Sequence, residues 1–572
     1  MTSSGRQSHE ELTTFPCGWL RLSDTGIVFE DDATSDATKQ LAHGIIRRTF
    51  NSPDQVADLI QRQAADARVR PRLRRGELEG GGEWFMNECG EWCIFGLPYP
   101  LVTLAIDNFT GNAIPSIWAA GDEGEENIPV VLPRWSSRDL ERGIINALIQ
   151  GGADINGEDG MAGGRQPICA AISGANEAAV DILIQHNVSL RGMMVMELPF
   201  TDDYGSPVSA DVETSLMSIY RRLIRLDSTL ATEQLDGANM AHRAAYCEGG
   251  CYSQAFIDDY MNLLVANGVD IIAEEENSGT PLREAAIWAS SCVAHYLCRQ
   301  PLAVNEISRD NTGHHECTIL SDAADIHVYE EMDGLDVLEE PPEPQDRVIP
   351  GRQLTVRVLL RAGAAPSIAR MPTAPDEDGG RRQCVLTEYT TVLNELPDVT
   401  MSAINAALAP QRDHSMLLAR LLPLAPHHDG GHPHPSPSNM SFGENEAEAI
   451  AWKIGAFLHE PSAAGAAIDQ YLIGDSQLRR RVKAAVGHFV KSAATEAISN
   501  REVVGGTRYE QQGSKRVKVS VPPLQCFALR GSGGHVVGIT GVREVVHRAR
   551  LDEVAKYQLT GVMKGFNEHL GD

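Results

Sequence analysis

Two intervals recur along this chain, and they restrict its fold more than any other feature. Residues 278–305 read SGTPLREAAIWASSCVAHYLCRQPLAVN. Thr280 and Pro281 open the stretch, an Ala-rich segment runs from Leu282 to Ala286, and a second apolar run lies around Val293 to Leu297. Pro281 and Pro301 stand 20 positions apart, as do Pro167 and Asn187, and Gly268 and Pro301 stand 33 apart. Pro suits the first turn of a helix, where its missing N–H would have no intrahelical partner. Gly after a helix supplies the left-handed residue that ends it, and Asn187 can take that role. Pro301 cannot adopt positive φ, so the helix before it must end differently. Each interval therefore encloses two short helices. Neither buries its apolar stripe alone, so such units are stable only when stacked.

Other stretches fit the same plan if loops are inserted between their two helices. One runs from Tyr99, Pro100 and Leu101 to Gly152-Ala153-Asp154-Ile155-Asn156, with an insertion near residues 107–137. Another runs from Asn239-Met240-Ala241-His242 to Gly268-Val269-Asp270-Ile271. A third runs from Thr318-Ile319-Leu320-Ser321 to Gly363-Ala364-Ala365-Pro366, and its insertion holds Glu339-Glu340-Pro341-Pro342-Glu343-Pro344, an extended, solvated composition. The pairs Ala244-Ala245, Ala285-Ala286 and Ala323-Ala324 keep the first helix narrow, so that neighbouring units approach closely. Between the second and third units, residues 193–238 exceed the spacing. Leu216, Ile219, Tyr220, Leu223 and Leu230 give helical periodicity there, either a decayed repeat or an inserted helix. Residues 400–425 read as a sixth, degenerate unit.

Residues 99–367 resemble the ankyrin repeat family, whose signature is T-P-L-H-x-A and whose period is 33 residues. In that family the His fastens the turn by a hydrogen bond. His242 holds the position here, with Asn239 in place of Thr, while the other units carry Val102, Cys169, Arg283 and Ser321. The resemblance implies a mainly α fold, a helical repeat solenoid whose turn tips and inner, concave-face helices bind other proteins. It implies a non-enzymatic interaction scaffold or adaptor. Carried onto this chain, the tip candidates are Asn156, Glu158 and Asp159, then Arg191, then Glu274, Glu275 and Glu276, then Arg309 and Asp310. The acidic triplet points to a partner with a basic segment, charge mainly setting on-rate and specificity. The alternative is an array that delivers a partner to a C-terminal enzymatic or nucleic-acid-binding module.

Charge divides the chain. Its 572 residues carry a net −29, which disfavours nucleic acid and anionic membrane as partners of the repeat region. Residues 470–572 hold 16 Lys and Arg against 9 Asp and Glu, a net of +7, so the first 469 residues carry −36. The eleven cysteines are odd in number and scattered, and no apolar leader, lipidation signature or membrane-length apolar run is present, so an intracellular, cytoplasmic location is expected. Lys515-Arg516-Val517-Lys518 leaves nuclear import open, although Val517, Val519 and Val521 alternate with polar residues as in a strand.

The plan that follows is a disordered, acidic segment over 1–36 and a helical capping region with an Arg-rich loop over 37–98. The repeat array covers 99–425, a His/Pro-rich linker 426–442, and a small basic α+β module 443–572. In that module helices are expected at 446–459, 463–472, 477–499 and 542–570, with strands at Lys515–Val521, 524–529 and 536–540.

Chemistry-bearing clusters are incomplete. Cys89 and Cys93, and Cys247 and Cys251, are spaced C-x3-C, and Cys292, Cys298 and Cys317 lie near His314 and His315. Zinc needs four converging ligands, and no full set is present, so these read as buried thiols. His427, His428, His432 and His434 sit in the Pro/Gly linker without residues to orient them. The glycines 531–534 lie between two apolar strands and lack a following Lys-Ser/Thr, so they read as a hairpin turn and not a phosphate loop. No catalytic triad, kinase signature or paired-carboxylate site stands out. No metal or cofactor is expected.

Overall fold

The computed structural model describes residues 19–29, 33–75, 98–120, 127–156, 166–201, 207–247, 251–275, 279–300, 302–309, 316–324, 348–366, 378–422, 444–495, 506–512, 515–521, 526–530 and 536–563. The fold is mainly α. No helix among the described residues is long and apolar enough to cross a membrane. The chain divides into two compact units, Met1–Tyr296 and Leu297–Asp572.

The first unit is built on two rows of short helices. One row starts with α1 (Asp36–Ile46), α3 (Leu101–Ala105) and α5 (Pro167–Ser173), each packed on the next. The other starts with α2 (Pro53–Gln61), α4 (Arg138–Gln150) and α6 (Glu177–Gln185), packed likewise. Local sequence explains the starts. Pro53, Pro167 and Pro281 occupy first-turn positions. Ser137 and Asn176 cap α4 and α6, accepting the backbone N–H of Leu140 and Ala179. Such caps contribute about 1 kcal/mol each. Gly152, Asn187 and Gly268 all take positive φ (88°, 60° and 96°), so Asn187 does stand where its neighbours use Gly.

Residues 193–238 hold a helix, as their periodicity predicts. A helix, α7 (Ala210–Leu226), packs between α6 and α9 (Gln254–Ala266) in the second row. The first-row place holds no helix. Residues 193–199 instead form turns between α5 and α8 (Met240–Ala245): Cys169 Sγ of α5 lies 3.5 Å from Met193 O, and Arg243 of α8 pairs with Glu197. Backbone carbonyls outside a helix need other partners when buried. Three tyrosines supply them, Tyr260 to Met196 O (2.6 Å), Tyr220 to Glu197 O (2.8 Å) and Tyr252 to Pro199 O (2.8 Å). Beyond this point α8 packs on α10 (Pro281–Ile287). Gln254 of α9 donates to Cys292 O (3.0 Å), at the start of α11 (Ser291–Cys298).

Small strands edge the unit. β1 (Leu20–Arg21) pairs with β5 (Ile128–Val131) in parallel, and β5 pairs with β4 (Trp118–Ala119). β2 (Thr25–Val28) pairs with β3 (Arg72–Arg75), and β6 (Gln234–Leu235) with β7 (Ala238–Asn239). Residues 20–28 are therefore ordered by long-range pairing, where their polar composition had suggested disorder. Within the basic loop expected over residues 68–76, Arg72–Arg75 form a strand, with Leu73 fully buried.

The second unit is organised on one long helix, α14 (Asp378–Leu421). Packed on it are α13 (Val348–Arg361), α15 (Glu444–Phe457), α16 (Pro461–Tyr471), α17 (Gln477–Thr495) and α18 (Val542–Tyr557). α12 (Ile319–Ala324) pairs with α13 after the hairpin β8–β9 (Ile307–Arg309, Glu316–Thr318). Residues 400–421, expected to form two helices, continue α14 through Pro397 and Pro410. Each proline removes one intrahelical bond. Packing on several helices at once keeps the backbone continuous across both. Arg357 and Arg361 of α13 bind Glu388 and Glu395 of α14 at 2.6 and 2.5 Å. The strand Lys515–Val521 forms as expected and pairs antiparallel with β10 (Gly506–Gln512), which the sequence reading missed. Cys526–Arg530 and Val536–Gly541 form a second hairpin.

Candidate functional site

The turn tips of the first unit meet along one edge, tied by polar side chains. Arg68 donates to Gly152 O (3.2 Å), and Arg70 to Asp154 (2.5 Å). Asp154 caps the next turn by accepting Asn156 N–H (3.0 Å), and Asn156 Oδ1 accepts the N–H of Ser189 (2.7 Å). Arg191 clamps Asp227 with Nε and Nη2 (2.9 and 2.7 Å) and also reaches Thr229 (3.0 Å). The Thr229 hydroxyl, donating to Asp227 Oδ1 (2.6 Å), and then the Arg191 clamp lower the Asp227 carboxyl from its ordinary value. Gly192 N–H donates to Glu233 (2.9 Å).

Two of the expected tip residues, Asn156 and Arg191, are thus engaged inside the chain. Glu274 is exposed, while Glu275 is half-buried and its backbone bridges Gly279 in both directions (2.8 and 2.9 Å). Arg309 ends β8 opposite Glu316. Glu158, Asp159, Glu276 and Asp310 lie outside the described residues, as do His427, His428, His432, His434 and the glycines 531–534.

A second feature lies along the first-row helices and was not singled out from sequence. Tyr246 and Trp288 cap the C-terminal ends of α8 and α10, and their rings meet edge-on with centroids 5.4 Å apart. The Arg243 guanidinium lies over the Tyr246 ring at 5.2 Å and is held on its other side by Glu197, whose carboxyl is pushed up by burial despite the arginine. Trp288 Nε1 donates to Glu284 (3.0 Å). All four outward groups, Glu197, Arg243, Tyr246 and Trp288, are half-buried, and Glu284 beneath them is buried. Tyr, Trp and Arg are the side chains that most often carry interface binding energy, since each offers a large rigid surface and a polar group. The available signal was positional: an aromatic follows two of the three Ala pairs, at Tyr246 after Ala245 and at Trp288 two places after Ala286.

Four of the described thiols are set against metal binding and nucleophilic chemistry, while Cys89 and Cys93 lie outside the described residues. Burial pushes Cys169 and Cys298 up to about 12 and raises Cys292 and Cys384 as well. A protonated thiol is neither a ligand nor a nucleophile. Among the described residues, no group of three or more His, Cys, Asp or Glu side chains is placed to hold a metal ion. A cleft of about 190 Å³ beside Phe109, Arg138, Glu177 and Asp211 is smaller than the roughly 300 Å³ at which small-molecule sites begin. No family model matches the chain, and no curated protein matches it.

Proposed function

We propose that this protein is a non-enzymatic interaction scaffold, a divergent ankyrin-type repeat solenoid followed by a small α+β C-terminal module, and that it acts inside the cell, in the cytoplasm or nucleus. The observation that carries the reading is the packing of α1 through α10 in two rows, with a first-row ledge made by Glu197, Arg243, Tyr246 and Trp288. The stacked pairs supply rigidity, and the ledge supplies aromatic and guanidinium anchors of the kind that dominate interface energetics.

Charge narrows the partner. Residues 1–296 contain 21 Lys and Arg against 43 Asp and Glu, a net of −22, and Lys39 is their one lysine. A partner segment rich in Lys or Arg fits this field, and its association would slow as salt is added. The tips at Asn156, Arg191, Glu274 and Glu275 border that surface in this reading and tune its specificity.

The test is affinity capture from a lysate with the full-length protein, wild type beside Tyr246→Ala and Trp288→Ala, followed by mass spectrometry. A set of basic proteins lost from both variants supports the reading. Identical captured sets for all three proteins contradict it.

A further inference from the structure

Four side chains from four different segments meet in a sealed site at the junction of α1, α3, α4 and α6. Arg48 follows α1 and is held at positive φ (54°), unusual for a residue with a side chain. Its guanidinium donates to Asp107 Oδ1 (3.2 Å), to Ile45 O and Leu104 O (2.6 Å each) and to Ile106 O (3.1 Å), and it lies over the Trp135 ring at 4.7 Å. Asp107 Oδ2 accepts the N–H of Trp135 (2.9 Å). Glu141 of α4 accepts two donors on Oε1, the N–H of Asp107 (2.8 Å) and Nδ2 of Asn176 (2.7 Å). Asn176 also donates to Asp107 O (3.1 Å). Asp107 and Glu141 are 3% and 2% exposed.

The charges in this site do not balance. One guanidinium faces two carboxylates, and an uncompensated buried charge is costly. Arg48 spends its hydrogen bonds on Asp107 and on carbonyls, whereas Glu141 receives only neutral N–H donors. Both donors use Oε1, which leaves Oε2 to carry a proton. The other charged groups nearby act elsewhere than on Glu141. Arg134 acts on Asp107, Arg138 stacks on Phe109, Asp139 and Arg142 pair on the exposed face of α4, and Glu177 of α6 binds Ser218.

We propose that Arg48, Asp107, Glu141 and Asn176 form a proton-linked latch, in which a proton held by Glu141 keeps the leading pair α1 and α2 docked on α3 and α4, and its loss loosens that end. The latch stands apart from the repeat reading, because it needs only these contacts. Burial, with the Asp107 charge adding to it, pushes the Glu141 carboxyl up to about 7 from its ordinary 4.5. A group with those two values, docked and released, shifts the docking equilibrium about tenfold between pH 6 and pH 8.

The experiment is hydrogen–deuterium exchange of the full-length protein at pH 6 and pH 8, corrected for intrinsic rates, read on peptides covering α1 and α2. The expected result is about tenfold weaker protection at pH 8 in the wild type, and no such change in Glu141→Gln, whose amide oxygen still accepts both donors. A protonated-carboxyl infrared band that disappears between the two pH values in the wild type, and is missing from the variant, accompanies it. Protection in the wild type that does not depend on pH overturns the latch, whether or not the variant folds. So does an equal pH dependence in the variant, or a carboxyl band that it retains.

Discussion

Asn156 accepts the backbone N–H of Ser189 at 2.7 Å, and the two residues stand 33 positions apart. Asn305 does the same for Ala365 (2.7 Å), across an interval lengthened by the insertion between α12 and α13. One closing segment is thereby tied to the next by an Asn side chain, in the first case across 33 positions and in the second across 60. Removing the acceptor leaves the Ser189 N–H to find water. Asn156→Ala should lower stability by about 1 kcal/mol. Asn156→Asp, which keeps an acceptor, should cost less. Chemical denaturation of the three proteins checks the order, and equal midpoints would show that the tie contributes nothing.

Gly474 sits between α16 and α17 with φ of 86°, and a Cβ there would overlap the carbonyl oxygen of Ala362 at the end of α13. Both facts oppose a side chain. A non-Gly residue at positive φ costs about 1–2 kcal/mol before any clash. Gly474→Ala should therefore lower the unfolding midpoint of the second unit while leaving that of the first unchanged, as read by exchange on peptides from each. A neutral outcome would show that the turn relaxes freely.

His242 gives a pH dependence whose sign is fixed by geometry. Its Nε2 lies 3.0 Å from Gly279 O, which can only accept, so Nε2 carries the proton and Nδ1 faces the N–H of Asn239 (3.3 Å). Burial lowers the pKa of this histidine from its ordinary 6.5. The folded chain thus binds the extra proton less readily than the unfolded chain. The contribution to stability is present above pH 6.5 and is lost as the pH falls through the folded value. Thermal melts should show the wild type losing more stability on acidification than His242→Gln. Parallel losses in both proteins would assign the effect to other groups.

The helix pairs were legible because their signals are local. Pro281 and Pro167 mark helix starts, Ala285 and Ala286 mark a close approach, and Asn187 was correctly placed at a left-handed position. His242 was found in the fastening role, donating to a backbone carbonyl. What was not legible depends on partners distant in sequence. Residues 193–199 keep a non-helical path because Tyr220, Tyr252 and Tyr260, between 23 and 64 positions away, satisfy their carbonyls. Arg48 reads as a surface arginine until Asp107, 59 positions on, closes over it.

The long helix α14 was obscured for a different reason. Pro397 and Pro410 are strong local signals for a break, and packing along the second unit overrides them. The ledge at Arg243, Tyr246 and Trp288 could have been suspected from the matched placement of its aromatics. Its assembly required α8 and α10 to lie side by side. The expected tip residues show the converse. Asn156 and Arg191 were singled out as outward-facing, and both first serve to join neighbouring turns.

The claim that this chain works as a binding scaffold is tested most directly by partner capture with Trp288→Ala in the full-length protein, with its thermal stability measured in parallel. The ledge accounts for binding if a partner present with the wild type is lost, at least tenfold, from a variant that melts normally; hot-spot truncations cost about 2 kcal/mol or more, which corresponds to a loss of that size. A stably folded variant that captures every wild-type partner at full yield would contradict it.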